Sequence, residues 1–211
     1  MMCKYPRTYH LPWSLGASSD DKILPKVKHL EGKDVVITEK KDGENTTIYS
    51  VGYCHARSLS SVNHPSRAWV KALAAQVGMD IPEGWRVCGE NLYARHSIYY
   101  ENLSTYFMVF GIYDADNRCL SWDETVEWCT LLGLTPVPVL YRGPFLSKDI
   151  QNLHKGMDLT KQEGYVVRVT ESFDYNDFDV SVAKFVRQGH VVENAVHWAT
   201  AKVIPNKLQD L

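Results

Sequence analysis

The sequence lacks an excess of charge of either sign. Its 23 lysines and arginines nearly balance its 25 aspartates and glutamates, so the formal net charge over 211 residues is −2. A chain with this balance exerts no general electrostatic attraction on nucleic acid or on an anionic membrane. Any polyanionic partner must therefore be held by a local patch of cationic side chains.

Long apolar runs and closely spaced metal ligands are missing as well. The longest apolar stretches, such as TYFMVFGIY, are far shorter than the roughly 20 residues that span a bilayer, and the first residues contain no apolar signal-peptide region. The five cysteines include no C-x-x-C pair, and the eight histidines include no pair with the spacing of zinc ligands. We therefore expect a cytoplasmic protein with no membrane partner, no disulfide framework and no structural zinc.

The sequence does have the composition of an ordinary globular chain, with 45% hydrophobic and 11% aromatic residues. This composition and length suffice for the core of one domain. Short apolar or β-branched segments are interspersed with a few amphipathic ones, which favours an α+β domain with mainly antiparallel sheets. We predict strands over 34–40, 45–53, 85–92, 106–113, 137–141, 164–170 and 179–186, and helices over 66–77, 121–132, 147–155 and 191–202.

The segment EKKDGEN, residues 39–45, joins the first two predicted strands. Its Asp-Gly pair is typical of a tight turn between antiparallel strands, so we predict a hairpin with this segment at the bend. The bend would carry Glu39, Lys40 and Lys41 side by side. Taken alone, such a charged tip is explained equally well as a solvated turn without a function.

Further along the chain, charged or aromatic residues recur within or beside apolar strands. A charge in such a place is costly unless it is paired or functional, and cations and carboxylates gathered round one pocket would satisfy one another. We therefore expect these segments to meet at a common site. They are, in order, HARS at 55–58, CGENLY at 88–93, YFMVF at 106–110, EGYVV at 163–167 and VAKFVR at 182–187.

The order of these motifs resembles that of a known superfamily, the covalent nucleotidyltransferases, which include ATP-dependent ligases and mRNA capping enzymes. Their motif set is K-x-D-G, then G-E, then an apolar strand ending in an aromatic residue, then E-G-x-V-V, then a strand with a lysine. EKKDGEN is most similar to the E-K-x-x-G-x-N of the RNA ligase family, and the resemblance extends over about residues 33–198. It implies an α+β nucleotidyltransferase domain, an ATP-grasp-like ligase adenylation domain, in which two mainly antiparallel sheets with flanking helices surround an ATP cleft.

The resemblance also sets expectations for domain organisation. Residues 1–211 would form a single adenylyltransferase domain, with 1–32 as an N-terminal extension and 188–211 as a short C-terminal tail. Only 27 residues follow Lys184, too few for the OB domain that DNA ligases and capping enzymes carry after this point. We therefore expect no OB domain.

The implied function is that of an ATP-dependent RNA ligase. Such an enzyme joins 3′-OH and 5′-phosphate RNA ends through lysyl-AMP and RNA-adenylate, with ATP and Mg²⁺ or Mn²⁺ as cofactors, and a partner protein or domain could supply RNA binding. Two alternatives stay open. One is a DNA ligase-like or capping-type nucleotidyltransferase, and the other is a nucleotide- or RNA-binding module without sealing activity.

Three residues would carry the chemistry that the resemblance implies. Lys40 would be the nucleophile, Lys184 would bind the α-phosphate, and Glu163 would organise a metal-bound water. Attack requires the neutral amine, whereas a lysine with the ordinary pKa of about 10.4 is almost wholly protonated at neutral pH. We therefore expect cationic neighbours, namely Lys41, Lys184, Arg57 and a bound Mg²⁺, to lower the pKa of Lys40.

Two positions depart from the family pattern. Val186 stands where a second lysine is usual, and Arg187 beside it could supply that cation; Gly111 stands where an aspartate is common. The remaining roles also follow from the resemblance. They are Glu39 and Lys41 at the adenine pocket, Arg57 on phosphate or ribose, Glu90 on the ribose hydroxyls, Phe110 stacked on the adenine, and Asn45 with Arg187 in the sealing step.

Overall fold

The fold is taken from a computed structural model of the chain, which describes residues 2–60, 63–189 and 202–210. β-branched and apolar residues predominate in its longer strands, because such side chains suit a pleated, buried surface. Within the described residues, the strands are β1 (Tyr9–His10), β2 (Asp34–Lys40), β3 (Glu44–Tyr49), β4 (Cys54–Ala56), β5 (Arg86–Asn91), β6 (Phe107–Tyr113), β7 (Arg118–Cys119), β8 (Thr135–Pro136), β9 (Val139–Pro144), β10 (Gly164–Val169), β11 (Phe173–Asp174) and β12 (Val182–Val186).

The strands form two sheets. The first has five strands in the order β1-β12-β10-β2-β9, and only its β1–β12 pair is parallel within the described chain. The second follows the path β11-β7-β6-β5-β3-β4 through antiparallel pairs, with β8 lying parallel beside β6. The prediction of an α+β domain with two mainly antiparallel sheets is confirmed.

The predicted hairpin across EKKDGEN is wrong. β2 pairs with β10 and β9 in the first sheet, whereas β3 pairs with β5 and β4 in the second. Since each strand already has a partner along both edges, residues 41–43 cross from one sheet to the other. Gly43 permits a close crossing, because a Cβ there would lie 2.5 Å from the carbonyl oxygen of Asn91. The charged motif therefore stands at the junction of the two sheets.

The helices are few and short. The longest two are amphipathic, and α2 begins with the predicted capping box, in which the Ser121 side chain accepts from the Glu124 amide and the Glu124 carboxylate accepts from the Ser121 amide. No helix of the described residues is long and apolar enough to cross a membrane. The helices are α1 (Ala68–Val77), α2 (Trp122–Leu131), α3 (Ser147–Ile150) and α4 (Phe178–Ser181).

Two predicted strands are shorter than expected. The strand predicted over 45–53 ends at Tyr49, because Ser50–Gly52 forms a tight turn in which Val51 has a φ of 60°. The strand predicted over 179–186 begins only at β12, because the preceding residues form α4. The helical turn interrupts the apolar run and separates β12 from β11.

One predicted helix is interrupted, and another lies outside the described residues. The helix predicted over 147–155 is divided into α3 and a separate turn at Leu153–Gly156. The helix predicted over 191–202 falls outside the described residues up to position 201. Among the cysteines, all five are free thiols.

Apolar packing joins the two sheets. A cluster of buried side chains spans the junction, with Val36 from β2, Met108 from β6 and Leu92 just after β5 among its members. Separate clusters fill the space beside the first sheet and between the second sheet, α1 and α2. The junction is therefore a fixed part of the core and not a hinge between independent units.

Candidate active site

A cavity of about 260 Å³ opens at the junction of the sheets. Strands of both sheets line it, so side chains that are far apart in sequence meet there. It holds eight of the ten predicted site residues. Those from the first sheet and the motif crossing are Glu39, Lys40, Lys41 and Lys184, and those from the second sheet and the residue after β4 are Asn45, Arg57, Glu90 and Phe110.

Lys40 ends β2 and lies on the cavity wall. Its Nζ donates a 2.6 Å hydrogen bond to Oε2 of Glu163, the residue before β10. The Lys40 side chain is 24% exposed and the Glu163 side chain only 5%. Burial by itself lowers the pKa of Lys40, but the nearby carboxylates of Glu163, Glu90 and Asp42 outweigh burial and raise that pKa above its usual value. The expectation that cations lower this pKa is therefore wrong for the described structure, where carboxylates dominate the surroundings of the amine.

Lys41 has a different partner from its neighbour. Its Nζ donates a 2.8 Å hydrogen bond to Oε1 of Glu39, and both side chains are largely buried. The same ammonium lies 4.9 Å from the centre of the Tyr100 ring. Residues two apart along an extended chain share one face, so Glu39 and Lys41 lie together while Lys40 points the other way.

Asp42 fixes the crossing between the sheets. Its Oδ2 accepts hydrogen bonds from the Ser97 amide at 2.8 Å, the Ser97 hydroxyl at 2.8 Å and the Ile98 amide at 2.7 Å. Its own amide donates to the Tyr100 hydroxyl at 3.0 Å. One short loop thus holds Asp42 through four hydrogen bonds, and this limits where Lys40 can lie.

Glu90 faces the same crossing from β5. Its Oε1 accepts a 3.2 Å hydrogen bond from the Gly43 amide. Burial raises the pKa of Glu90 to about 8, with Lys40 opposing the rise. The negative charges of Glu163 and Asp42 add to it. At neutral pH this carboxyl therefore holds its proton most of the time, which allows it to donate as well as accept.

Lys184 lies in the middle of β12, opposite Val166 of β10 and His10 of β1. Burial lowers its pKa to about 8, and the charge of Lys40 contributes to the same shift. The two lysines are therefore close enough to repel each other. Such a pair is stabilised by an anion placed between them.

Three further predicted residues lie on the wall. Arg57 follows β4 at the exposed rim. Phe110 is partly buried, and its ring packs edge-to-face with that of Tyr5, with 5.0 Å between the ring centres. Asn45 has a buried side-chain oxygen without a hydrogen-bond partner among the described residues. A buried acceptor without a donor is unusual and is consistent with contact to a bound molecule.

Two predicted residues lie beside the cavity and not on its wall. Glu163 is buried behind Lys40, and its backbone oxygen accepts a 2.9 Å hydrogen bond from the Arg187 amide. The Arg187 guanidinium reaches the Ser97 hydroxyl at 3.4 Å, the same hydroxyl that holds Asp42. Arg187 thus lies near the motif crossing.

Sequence reasoning missed several wall residues. They are Tyr5, Arg7, Thr8 and Asp21 from the segment before β2, and Arg168 and Phe173 from the first and second sheets. Arg168 is buried, with its guanidinium bonded to the carbonyl of Leu120 at 2.7 Å. The N-terminal residues lie in a segment without helical or strand periodicity, so only their charge or aromatic character could have marked them, and other arginines of the chain share that feature.

A dedicated metal cluster is not found: no three metal-ligating side chains gather within the part of the chain that the structure describes. Magnesium usually takes one or two protein carboxylates and completes its shell with phosphate oxygens and water. Glu163, the residue predicted to organise a metal-bound water, is a carboxyl group 2.6 Å from the Lys40 amine. This residue fits a divalent cation that enters with a nucleotide, and it does not form a cage for the ion alone.

A comparison with models of protein families shows to which family the chain belongs. The model of the family described as RNA ligase matches residues 33–186. The chain belongs to the RNA ligase family. This match includes all the predicted site residues of the chain except Arg187, and it leaves Arg7 and Asp21 outside. A search of curated proteins gives no match.

Solved structures of RNA ligases have a similar fold. A point mutant of Naegleria gruberi RNA ligase with ATP and Mn has a TM-score of 0.54 and 20% identity over 77% of this chain and 52% of that one. An apo mutant of that protein has a TM-score of 0.57 and 18% identity over 83% and 56%. An archaeal ATP-dependent RNA ligase has a TM-score of 0.59 and 17% identity over 88% and 48%. This chain thus spans about half the length of these solved structures, and the likeness at such identities concerns the fold.

Proposed function

We propose that this chain is an ATP-dependent RNA ligase that joins 3′-OH and 5′-phosphate RNA ends through lysyl-AMP and RNA-adenylate. The observation that carries the proposal is Lys40, whose amine lies on the cavity wall in contact with buried Glu163 and close to Lys184. Membership of the RNA ligase family supports it, as do similar folds solved with ATP and Mn. A single adenylyltransferase domain over 1–211 is part of this proposal.

Lys40 makes the first bond in the proposed reaction. Its Nζ must lose a proton before it can attack the α-phosphorus of ATP. Glu163 lies 2.6 Å away and is the acceptor for that proton. The raised pKa of Lys40 means that the free protein holds the amine protonated at neutral pH, so proton transfer to Glu163 accompanies the attack.

In this proposal, different wall residues contact the adenine, the ribose and the phosphates of ATP. Phe110 stacks on the adenine, with Glu39 and Lys41 beside it, and Glu90 binds the ribose hydroxyls. Lys184 and Arg57 bind phosphates at the other side. A divalent cation, Mg²⁺ or Mn²⁺, supplies positive charge that neutralises the triphosphate, and Glu163 would hold it through water. Each of these residues lies on the wall or, for Glu163, directly behind it.

Asn45 serves the later sealing step in this proposal. Its side-chain oxygen faces no donor among the described residues, so a hydroxyl of the RNA can satisfy it. Arg187 lies near the motif crossing, and in this proposal it contacts the RNA backbone. With a formal net charge of −2, RNA binding by this chain should be weak and salt-sensitive. A partner protein or domain would supply the missing affinity.

The experiment separates the chemical steps. Purified protein is incubated with α-labelled ATP, and separately with RNA that already bears a 5′-adenylate. Lys40→Ala should take up no label, and Lys40→Arg should fail equally because a guanidinium stays protonated. Both variants should retain part of the sealing of pre-adenylated RNA. The matched control is Lys41→Ala, which should still become labelled because its amine contacts Glu39 and not Glu163.

Four outcomes would contradict the proposal. Label on Lys40→Ala but not on Lys41→Ala would place the nucleophile one residue away. Equal labelling by GTP would favour a capping-type enzyme, and equal sealing of an all-DNA nick would favour a DNA ligase, because RNA is distinguished by its 2′-OH and helix geometry. Native protein that takes no label at all would favour a binding module without sealing activity.

A further inference from the structure

Part of the cavity wall comes from the segment before the family-matched region. Arg7 and Asp21 line the cavity although the match begins at residue 33. The segment is held in place by backbone contacts, because β1 pairs in parallel with β12 and sets His10 opposite Lys184. The amide of Leu11 donates a 2.7 Å hydrogen bond to the carbonyl of Lys184. Arg7 is therefore held only a few residues from the strand that carries the second lysine.

Arg7 and Arg57 stand on the exposed part of the cavity wall, where Asp21 is the acidic wall residue whose charge acts on Arg57. Both are exposed, and neither forms an ion pair with any carboxylate of the described chain. The guanidinium of Arg7 donates to the backbone oxygen of Asp20 at 3.0 Å. Burial lowers the pKa of Arg57, and the charge of Arg7 lowers it further. Two guanidinium groups close enough to repel each other form a favourable place for a polyanion.

These arginines continue a series of cations that begins at the nucleophile. Burial and the charge of Lys40 both lower the pKa of Lys184 to about 8, and the charge of Arg57 acts in the same direction. Arg57 in turn responds to Arg7. Lys40, Lys184, Arg57 and Arg7 thus line one cavity, with the two exposed arginines at its rim. Asp21 and Glu163 oppose the lowering of the Lys184 pKa.

The proposed reaction indicates which anions these cationic side chains can bind. In the first step the bond from Nζ of Lys40 to the α-phosphorus forms while the bond to pyrophosphate breaks, and pyrophosphate leaves with the electron pair. In the second step an oxygen of the RNA 5′-phosphate attacks the same phosphorus, the phosphorus–nitrogen bond breaks, and Lys40 takes up a proton. Entering and leaving groups of such a displacement lie in line. Pyrophosphate therefore leaves, and the 5′-phosphate enters, on the side opposite Lys40.

We propose that Arg7, together with Arg57, forms an anion subsite that holds the pyrophosphate end of ATP and then the 5′-phosphate of RNA. This inference rests on the proposed function. It adds a residue from outside the family-matched region to the binding site, and it assigns one subsite to two successive anions. AMP, which lacks the β- and γ-phosphates, does not reach this subsite.

The test compares ligands that differ only at the subsite. Arg7→Ala, Arg7→Lys and native protein are assayed for binding of ATP and of AMP, and for the pyrophosphate concentration that half-saturates ATP formation from purified lysyl-AMP protein. The matched control is Lys4→Ala, which removes an exposed cation of the same segment that does not line the cavity. Arg7→Ala should weaken ATP and pyrophosphate about tenfold, as expected for one charge-assisted hydrogen bond. AMP binding should not change, Arg7→Lys should recover part of the loss, and Lys4→Ala should behave as native.

A further readout concerns the second anion. Transfer of AMP from purified lysyl-AMP protein to 5′-phosphorylated RNA should require about tenfold more RNA in Arg7→Ala than in native protein. Equal weakening of AMP and ATP would overturn the subsite, because the segment would then merely shape the pocket. Unchanged binding of ATP and pyrophosphate would overturn it as well. Failure of the proposed function has a different signature, namely native protein that binds ATP but never becomes labelled.

Discussion

The two described segments that flank the family-matched region, 2–32 and 202–210, both pack close to the site, but they contribute different things. The N-terminal segment places charged side chains on the cavity wall and adds β1 to the first sheet. The C-terminal segment places no residue on that wall. It packs instead against residues 92–106, the stretch that contains the loop holding Asp42.

Asn206 is the centre of the C-terminal contact and is only 2% exposed. Its side-chain oxygen accepts from the Tyr100 amide at 2.9 Å, and its side-chain nitrogen donates to the Leu92 carbonyl at 2.8 Å. Its own backbone oxygen accepts from the Tyr106 hydroxyl at 2.9 Å. Because the Tyr100 hydroxyl in turn accepts from the Asp42 amide, the C-terminal segment supports the motif indirectly.

Because the two segments contribute different contacts, affinity for ATP and stability should depend on different segments. Charges of the N-terminal segment that face the cavity should alter affinity for ATP without altering stability. Buried hydrogen bonds of the C-terminal segment should alter stability without altering affinity for ATP, since they lie away from the wall. Substitutions in each segment test whether this separation holds.

The largest effect on stability is expected from Asn206→Ala. The substitution leaves the Tyr100 amide and the Leu92 carbonyl buried without partners, so the free energy of unfolding should fall by about 1–3 kcal/mol. Urea denaturation measures this change through its midpoint. The KM for ATP in lysine labelling of the folded variant should stay at the native value.

Gln209→Ala serves as the control for this substitution. The side chain of Gln209 is exposed, and only its backbone amide bonds within the described chain, to the Leu103 carbonyl. Its midpoint should therefore match that of native protein. An Asn206→Ala variant with native stability and a raised KM for ATP would reverse the assignment of the C-terminal segment.

The contrast between local patterns and long-range contacts also explains which features of the fold and the site could be predicted from the sequence. Motif residues such as Lys40, Glu90 and Lys184 were predictable because charges on apolar strands stand out, and the structure places each of them around one cavity. The hairpin was predicted wrongly because a D-G pair marks a local turn but does not say whether the strands on either side pair. That choice depends on the long-range partners of β2, namely β9 and β10. Neither partner is recognisable from residues 39–45.

Residues of the flanking segments were missed for another reason. Arg7 and Asp21 reach the wall because β1 docks on β12, and a two-residue strand leaves almost no periodic pattern. Asn206 owes its importance to three backbone groups that lie about a hundred positions earlier. Local propensity carries no information about such partners.

Lys184 should influence how the rate of labelling depends on pH. Its strand, β12, pairs with β1 of the N-terminal segment. Labelling should accelerate as pH rises, because a growing fraction of Lys40 is already deprotonated and needs no proton transfer to Glu163 during the attack. Lys184, with its pKa of about 8, meanwhile loses the charge that binds phosphate. Glu90, whose pKa is also about 8, gains a negative charge in the same range. The kcat/KM for ATP in native protein should therefore stop rising near pH 8.

Two variants distinguish the titration of Lys184 from that of Glu90. In Glu90→Gln the profile should still level off near pH 8, because Lys184 titrates as before. In the double variant Glu90→Gln with Lys184→Arg, the guanidinium stays charged and the rise should continue above that pH. A double variant that still levels off near pH 8 would show that another group controls the profile.

The smallest effect is expected from Asp21→Asn. Asp21 is the acidic wall residue of the N-terminal segment; its Oδ2 accepts from the Ser18 amide at 3.0 Å and hydroxyl at 2.9 Å, and its charge acts on Lys184 and Arg57. Although partial burial opposes it, the pKa of Asp21 is lowered by the Ser18 contacts and by nearby cations, so the group is ionised at neutral pH. Removing this negative charge beside the phosphate-binding cations should favour ATP.

Charges of this exposure interact by about 0.2–1 kcal/mol, so the KM for ATP should fall roughly 1.5- to 5-fold in Asp21→Asn. The gain should shrink at high ionic strength because salt screens charges at the rim. Asp20→Asn is the matched control, since Asp20 is exposed, does not line the cavity and touches Arg7 only through its backbone oxygen. If Asp21→Asn instead raises the KM while Asp20→Asn does not, Asp21 holds part of the bound nucleotide or its cation, and the N-terminal segment contributes an acidic ligand as well as a cationic one.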